Sequence, residues 1–354
     1  MLALLLAVLL NLGLPGMSGE DLTLTVTGRD NLYTVARSHS LALEHLAFAN
    51  RLPVSLAPLK DGQLVVPRRR ILPANPPSDG LVLNLPERGV YLYRHGSFIK
   101  FYPVAIGMPG WNTPVGTFTI ATREVDPTWD PPAWAGVAGP VGPGPDNPLG
   151  DRWLGLSRRG YGMHGTNRPD SIGGAVSHGC IRMYPESIRD LFGRVEVGLR
   201  VRIEYEPVKL GCDPASGRIF LAVFPDVYGR THLLSRAQEL LSRAGLSSLT
   251  DPLRLRAIVA AASGRAEPLI GEEIEVVIDQ APPLTTLGLL VSGRLYLSAS
   301  FLEEQLGLST EEEVLSFSGQ RWLPVASVLR KGVRAYRFEE RSLTIESFGE
   351  DGEP

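Results

Sequence analysis

Apolar and polar positions alternate in different ways along the chain and divide it into blocks. An uninterrupted apolar run fills Leu2–Leu10, with small residues behind it at Gly16, Ser18 and Gly19. It is shorter than the ~20 residues of a membrane span. Its length and tail fit a secretory signal over 1–19, cut near Ser18–Gly19, although a positive start is missing apart from the α-amino group. No Cys stands behind it, so no lipoprotein anchor is expected. In the next block, Leu22, Leu24 and Val26 alternate with Thr as in a half-buried strand. Asp30 and Asn31 then suit the cap of a helix with Leu32, Val35 and Ala36 on one face. A second helical face comes next at Leu43, Leu46 and Ala47, ending at Asn50, and 63–67 closes as a strand.

Arg68-Arg69-Arg70 and the Pro-rich stretch 73–77 read as a linker, the Arg run as a solvated face. Leu81, Leu83 and Leu85 fall on one strand face. A hairpin is expected to turn at Arg94-His95-Gly96-Ser97. FTIAT and VRIEYEPV read as further strands. Between them a Pro- and Gly-rich loop, about 126–151, carries Trp129 and Trp134 and is flanked by Trp111 and Trp153. Loops this long are usually functional or disordered, and the aromatic content points to packing or to a wall beside a site.

After about Tyr228 helical patterns take over, at Leu234, Ala237, Leu240 and Leu241, then at Ile258, Ala261 and Ala262 after the Asp251-Pro252 start. SGRLYLSASFLEEQLG at Ser292 is echoed by SGQRWLPVASVLRKG at Ser318, each read as a strand followed by a helix. A last strand is expected from Glu339 to Ser347. The expected organisation is a signal (1–19), a small unit (20–70), a strand-rich domain (80–228), a helical connector (229–270) and a duplicated strand–helix domain (271–354). The fold class is thus multidomain α+β.

Length agrees, since 354 residues require two or three cores. Lys+Arg total 35 against 38 Asp+Glu, so no basic excess exists to track a phosphate backbone, and nucleic acid is not an expected partner. Two Cys cannot make a disulfide framework. The chemistry concentrates in MHGTNRPDSIGGAVSHGCIRMYPESIRDLF, 163–192, where two of the six His, His164 and His178, lie close to Cys180. A thiol attacks a carbonyl only as thiolate, and His178, two residues before Cys180, can take its proton. Gly179 lets a substrate approach the backbone, and the amides near Gly179 and Cys180 can form an oxyanion hole. Arg182 can grip a carboxylate with two parallel hydrogen bonds. Three other readings stay open: a buried inert Cys, a zinc site of His164, His178 and Cys180, and an Arg182–Glu186 pair. Cys212, in the turn-like KLGCDPASG, reads as structural; a Cys180–Cys212 disulfide would block the nucleophile.

HGTNRPDSIGGAVSHGCIRM resembles the signature of the L,D-transpeptidase (YkuD-like) catalytic domain of cell-wall enzymes, with His164, Ser177, His178, Gly179, Cys180, Ile181 and Arg182 in the motif positions. NTPVGTFTI and NPLGDRWLGL are similar to stretches upstream of it in that family. The resemblance implies a mostly β catalytic sandwich. It implies Cys180 as nucleophile, His178 as general base, Ser177 and Gly179 shaping the site, and His164, Gly165 and Arg182 along the substrate groove. Cys180 would attack the bond between the third residue of a peptidoglycan stem and its terminal D-Ala. The resulting thioester would pass to another stem's third-residue amine (a 3→3 cross-link), to water, or to the Lys of an envelope lipoprotein. No metal or organic cofactor is implied, and the compartment would be the periplasm or cell envelope. The rival classes are a zinc-dependent amidase and a non-catalytic wall-binding protein. The stretches DNLYTVARSHS, LEHLAFANRL and LKDGQLVVP resemble the LysM module, a binder of glycan strands, although the unit can equally be a packing element. The duplicated stretch resembles the repeat of copper amine oxidase N-terminal domains, a stalk or binding domain elsewhere. It holds no His or Cys for copper.

Overall fold

A computed structural model gives the architecture and describes residues 14–213, 216–291, 294–308, 315–317, 320–333, 335–339 and 342–346. The apolar N-terminal run lies outside these residues. The short segment behind it is engaged: β1 (Met17–Ser18) pairs with β4 (Arg70–Ile71), and the Cys212 amide donates to Pro15 O at 3.0 Å. A cut between Ser18 and Gly19 would separate β1 from this arrangement.

The first unit has the expected β-α-α-β order: β2 (Leu22–Val26), α1 (Leu32–Ser38), α2 (Leu43–Ala49) and β3 (Gly62–Val66), with β2 and β3 antiparallel. Asn31 is the cap of α1, exchanging hydrogen bonds with Thr34 in a reciprocal box that satisfies otherwise orphaned amides. Asp30 instead accepts from the Thr27 amide in the turn before it. This unit is pinned to its neighbour. Arg37 forks onto Glu186 at 2.7 and 2.8 Å, Glu44 pairs with buried Arg88, and the Tyr184 hydroxyl donates to Leu41 O. Ala42 presses so close to Gly173 that a Cβ there would stand 2.8 Å from it.

The second unit is a sheet of nine strands. β5 (Gly80–Asn84), β6 (Gly89–Arg94), β7 (Ser97–Gly107), β8 (Gly116–Val125), β9 (Arg152–Leu156), β10 (Gly162–His164), β11 (Ala175–Ser177), β12 (Ile181–Met183) and β13 (Arg200–Glu204) run in the order β11-β7-β12-β10-β9-β8-β13-β5-β6. β6 also pairs with β7, so eight of the strands close into a ring, with β11 added beside β7. The expected sandwich is therefore a closed, barrel-like sheet. Closure comes from the 11-residue length of β7: its first part pairs with β6 and its end with β12 and β11. Leu81, Leu83 and Leu85 point into one core with Val104, Ile106, Met163, Ile181 and Met183. The β6–β7 hairpin turns where expected, with His95 and Gly96 both left-handed, as a two-residue turn needs. α3 (Pro185–Phe192) packs Ile188 and Leu191 onto the same core.

VRIEYEPV does not continue as one strand. It breaks at Pro207, and β14 (Val208–Cys212) joins β15 (Ile219–Val223) and β16 (Ala266–Ile270) in a separate three-stranded sheet. The stretch 229–270 is thus not helical throughout: α4 (Leu233–Arg243) and α5 (Pro252–Ala261) are followed by β16. A buried polar knot ties this sheet to the barrel. Lys209 Nζ lies 2.9 Å from Glu87 and 3.2 Å from the Tyr91 hydroxyl, which donates to Glu87 at 2.5 Å.

The last sheet holds β17 (Glu272–Ile278), β18 (Leu284–Val291), β19 (Arg294–Ser298), β20 (Leu315–Phe317), β21 (Gln320–Pro324), β22 (Ala335–Glu339) and β23 (Ser342–Glu346). The echoed stretches form β19 with α6 (Ala299–Leu306) and β21 with α7 (Val325–Gly332), and β19 pairs antiparallel with β21. Ser292 and Ser318, which open the two copies, lie outside the described residues. The single last strand expected from Glu339 is a hairpin of β22 and β23, and Ser347 falls outside the described residues.

Candidate active site

β10 and β12 are parallel neighbours, with Met163 opposite Ile181 and His164 opposite Arg182. Residues in register on adjacent strands face the same side of a sheet, so His164 and Arg182 stand together although 18 positions apart. Ser177 ends β11, and His178, Gly179 and Cys180 make the turn into β12. Gly179 has φ +111°, and a Cβ on it would sit 2.8 Å from the Tyr161 ring, so only glycine fits this turn. The Ser177 hydroxyl spans it, accepting from the Gly179 amide at 3.1 Å and donating to Cys180 O at 2.5 Å. The Gly179 amide is thereby committed, which leaves Cys180's own amide as the oxyanion donor of the expected pair.

Beneath the turn, the buried Thr113 hydroxyl donates to Gly179 O and accepts from the Gly107 amide, each at 2.9 Å. The Tyr228 hydroxyl donates to Gly107 O at 2.8 Å and accepts from the Thr113 amide at 3.2 Å. Above it opens a cavity of about 580 Å³ lined by Ser177, His178, Cys180, His164 and Arg182, with Trp111, Trp129, Trp153 and Tyr161 as aromatic walls. Glu124 and Asp130 supply negative charge on the loop side. Much of the long loop thus borders the site. Asn147 staples it, donating to Pro127 O at 2.7 Å and Gly142 O at 3.1 Å and accepting from the Leu149 amide at 2.9 Å. The Trp134 side chain lies outside the described residues.

Burial pushes the Cys180 thiol pKa up, against smaller opposing pulls from the Gly162 amide and the Arg182 charge. The sulfur rests as a thiol, 3.5 Å from Gly160 O. The His164 ring is buried, stacked over Trp153 at 5.7 Å, with Nδ1 2.6 Å from Gly165 O. Burial first, and the Arg182 charge second, bring its pKa down to about 4, so it is neutral at pH 7. Gly165 therefore orients an imidazole and is not a wall of the cavity. His178, half-buried, meets Trp111 edge-on at 4.9 Å. Arg182 has no carboxylate partner among the described residues; Glu186, its alternative partner in the sequence, is taken by Arg37. Both cysteines are free, and burial with Asp213 pushes Cys212 up to about 11. Among the described residues no group of three His, Cys, Asp or Glu is placed to hold a metal ion.

A family model described as the L,D-transpeptidase catalytic domain, YkuD, matches residues 78–203. "Probable L,D-transpeptidase ErfK/SrfK" of Escherichia coli is 35% identical over 209 residues, covering 55% of this chain and 67% of that protein. "Putative L,D-transpeptidase YkuD" of Bacillus subtilis is 33% identical over 186 residues, 51% of this chain and 98% of that one. The chain belongs to the L,D-transpeptidase family. "Probable L,D-transpeptidase YbiS" of Escherichia coli is 36% identical over 194 residues, covering 52% of this chain and 63% of that protein. The family-model match ends within the last barrel strand, before β14. Two supports of its turn escaped the sequence reading. Thr113 lies in the NTPVG stretch already singled out, but nothing there shows which backbone its hydroxyl reaches. Tyr228 carries no local signal at all.

Proposed function

We propose that this chain is a cysteine acyltransferase that cross-links peptidoglycan stems 3→3. The observation that carries the proposal is the convergence of Cys180, an oriented neutral imidazole and the unpaired Arg182 in one aromatic-walled cavity. Arg182 would hold the terminal D-Ala carboxylate of a tetrapeptide stem. Cys180 would attack the carbonyl of the third residue, its proton passing through imidazole to the departing D-Ala amine and leaving a thioester. The side-chain amine of a second stem would then attack the thioester and restore the thiol. The family signature gives the base to His178. We infer that His164 takes this role instead, because the Gly165 carbonyl fixes its Nδ1–H, so that Nε2 is the nitrogen that would accept a proton once clear of the Leu149 backbone. A carboxylate seated on Arg182 also removes one of the two causes that hold His164 acidic, which makes it a better base once substrate is bound.

Incubation with disaccharide-tetrapeptides and mass analysis tests the reaction. A dimer that has lost one D-Ala is expected, and Cys180→Ala should give none. A tripeptide alone would make the enzyme an L,D-carboxypeptidase; no change of substrate would favour the non-catalytic wall binder. Within the same proposal the first unit grips glycan, the duplicated domain serves as a stalk or binding element, and the chain works outside the cytoplasm. Pull-down on insoluble sacculi by full-length and 20–70-deleted chains tests the glycan role. Equal recovery would make the unit a packing element.

A further inference from the structure

A second cavity, about 400 Å³, opens where the first unit meets the β6–β7 hairpin. One wall is the α1–α2 turn, Ser38-His39-Ser40; another is Arg68 and Arg70; the third is Phe98 to Phe101 at the start of β7. None of its lining residues is acidic, whereas the catalytic cavity carries Glu124 and Asp130. Among the described residues neither Arg68 nor Arg70 makes an ion pair, and the Glu87 and Asp21 carboxylates act on Arg70 only from further off. Arg70 lies over the Phe101 ring at 4.0 Å and gives one N–H to Arg68 O. Lys100, the third cation, is shared with Asp190 at 3.1 Å. Two adjacent guanidinium groups repel each other unless an anion lies between them, so the composition favours a negatively charged occupant. The serine hydroxyls and the Phe98–Ile99 face add what a sugar ring takes, hydrogen bonds on its rim and an apolar floor.

We propose that this junction is a second binding site, for an anionic saccharide whose carboxylate or phosphate sits between Arg68 and Arg70. That the saccharide belongs to the wall rests on the transpeptidase reading; the anion site itself does not. β7 connects the two cavities. Phe101 lines one end, Gly107 underlies the catalytic turn at the other, and six residues at ~3.3 Å place them about 20 Å apart. The site would therefore hold a part of the polymer outside the reacting stem and set the approach of the chain to Cys180.

The test is titration of the ¹⁵N-labelled full chain, monitored by amide shifts, with N-acetylmuramic acid, glycerol 3-phosphate and, as neutral control, N-acetylglucosamine. N-acetylmuramic acid should shift the amides of Ser38–Ser40 and Phe98–Lys100, and N-acetylglucosamine should leave them in place. Stronger shifts with glycerol 3-phosphate would support the anion site and name phosphate as its ligand. Arg68→Glu, at an exposed position, should weaken binding about tenfold or more without moving the melting temperature. Arg70→Gln should do the same, with melting checked because its stack on Phe101 is lost. The proposal is overturned if neither anion shifts these amides, if the neutral sugar shifts them equally, or if Arg68→Glu binds as well as the parent. Carbapenem labelling of Cys180 in the same sample reads the other proposal separately: shifts without labelling would overturn the wall assignment alone.

Discussion

Cys180 and Cys212 are the same side chain in different surroundings. Cys180 faces a cavity with two imidazoles and a guanidinium, while Cys212 is buried in β14 beside Asp213. A carbapenem should therefore add its mass to the parent and to Cys212→Ala but not to Cys180→Ala; an adduct on Cys180→Ala would refute the nucleophile. The two imidazoles separate by rate. His164→Ala should slow acylation by ~10²–10⁴ at pH 7, the range for a positioned base, and His178→Ala by less than about tenfold. Because burial raises the Cys180 pKa, the His164→Ala deficit should persist past ~8.5, where an unburied thiol ionises, and narrow only at higher pH. The reverse ranking would return the base to His178. The motif made Cys180 legible, since a His and a Gly adjoin it in sequence. His164 was legible only as a wall residue, because its tautomer depends on a carbonyl that the fold turns towards it.

At the scale of elements, the catalytic turn is held less by its own residues than by a hydroxyl beneath it. Thr113→Val keeps the shape but leaves the Gly179 carbonyl and the Gly107 amide without partners. A loss of about 1–3 kcal/mol per buried group is expected. Chemical denaturation should show it together with slower carbapenem acylation; unchanged stability and rate would mean that Thr113 does not support the turn. Alternation along Leu81, Leu83 and Leu85 and the His95-Gly96 turn disclosed strands correctly, because both are local. Barrel closure was not visible, since it depends on one long strand serving different partners along its length. Nor was the docking of the first unit, whose Arg37–Glu186 contact joins positions 149 apart. That unit looks in sequence like a module on a linker and proves to be braced against the segments that flank the catalytic turn.

At the scale of the molecule, two buried imidazoles make stability depend on acid. His45, on α2 against Phe224, has its pKa lowered to about 3 by burial, with Arg88 and Arg70 adding to it, and its Nε2 has no partner. His164 is lowered to about 4. The unfolded chain takes up protons below ~6.5 that the folded chain refuses, so stability falls as pH drops from there towards 3. His45→Phe removes one of these uptakes. Its loss of stability between pH 6.5 and 5 should be smaller than the parent's by about 2 kcal/mol, at ~1.4 kcal/mol per pH unit. Parallel profiles in calorimetric melts would sink the argument.

The knot of Glu87, Tyr91 and Lys209 also decides where this protein can be cut. The family domain ends at the last barrel strand, which invites trimming after Glu204. That trim removes Lys209 and with it Tyr228, which braces the catalytic turn; in the full chain Lys209→Met would leave the buried Glu87 carboxylate without its cation, a defect worth about 3–5 kcal/mol. Lys209→Met should express poorly and recover when Glu87→Gln is added, because an amide can bond Tyr91 without needing a counter-charge; the chain trimmed after Glu204 should not be rescued this way. The minimal functional piece is thus longer than the matched family region and runs at least through Tyr228.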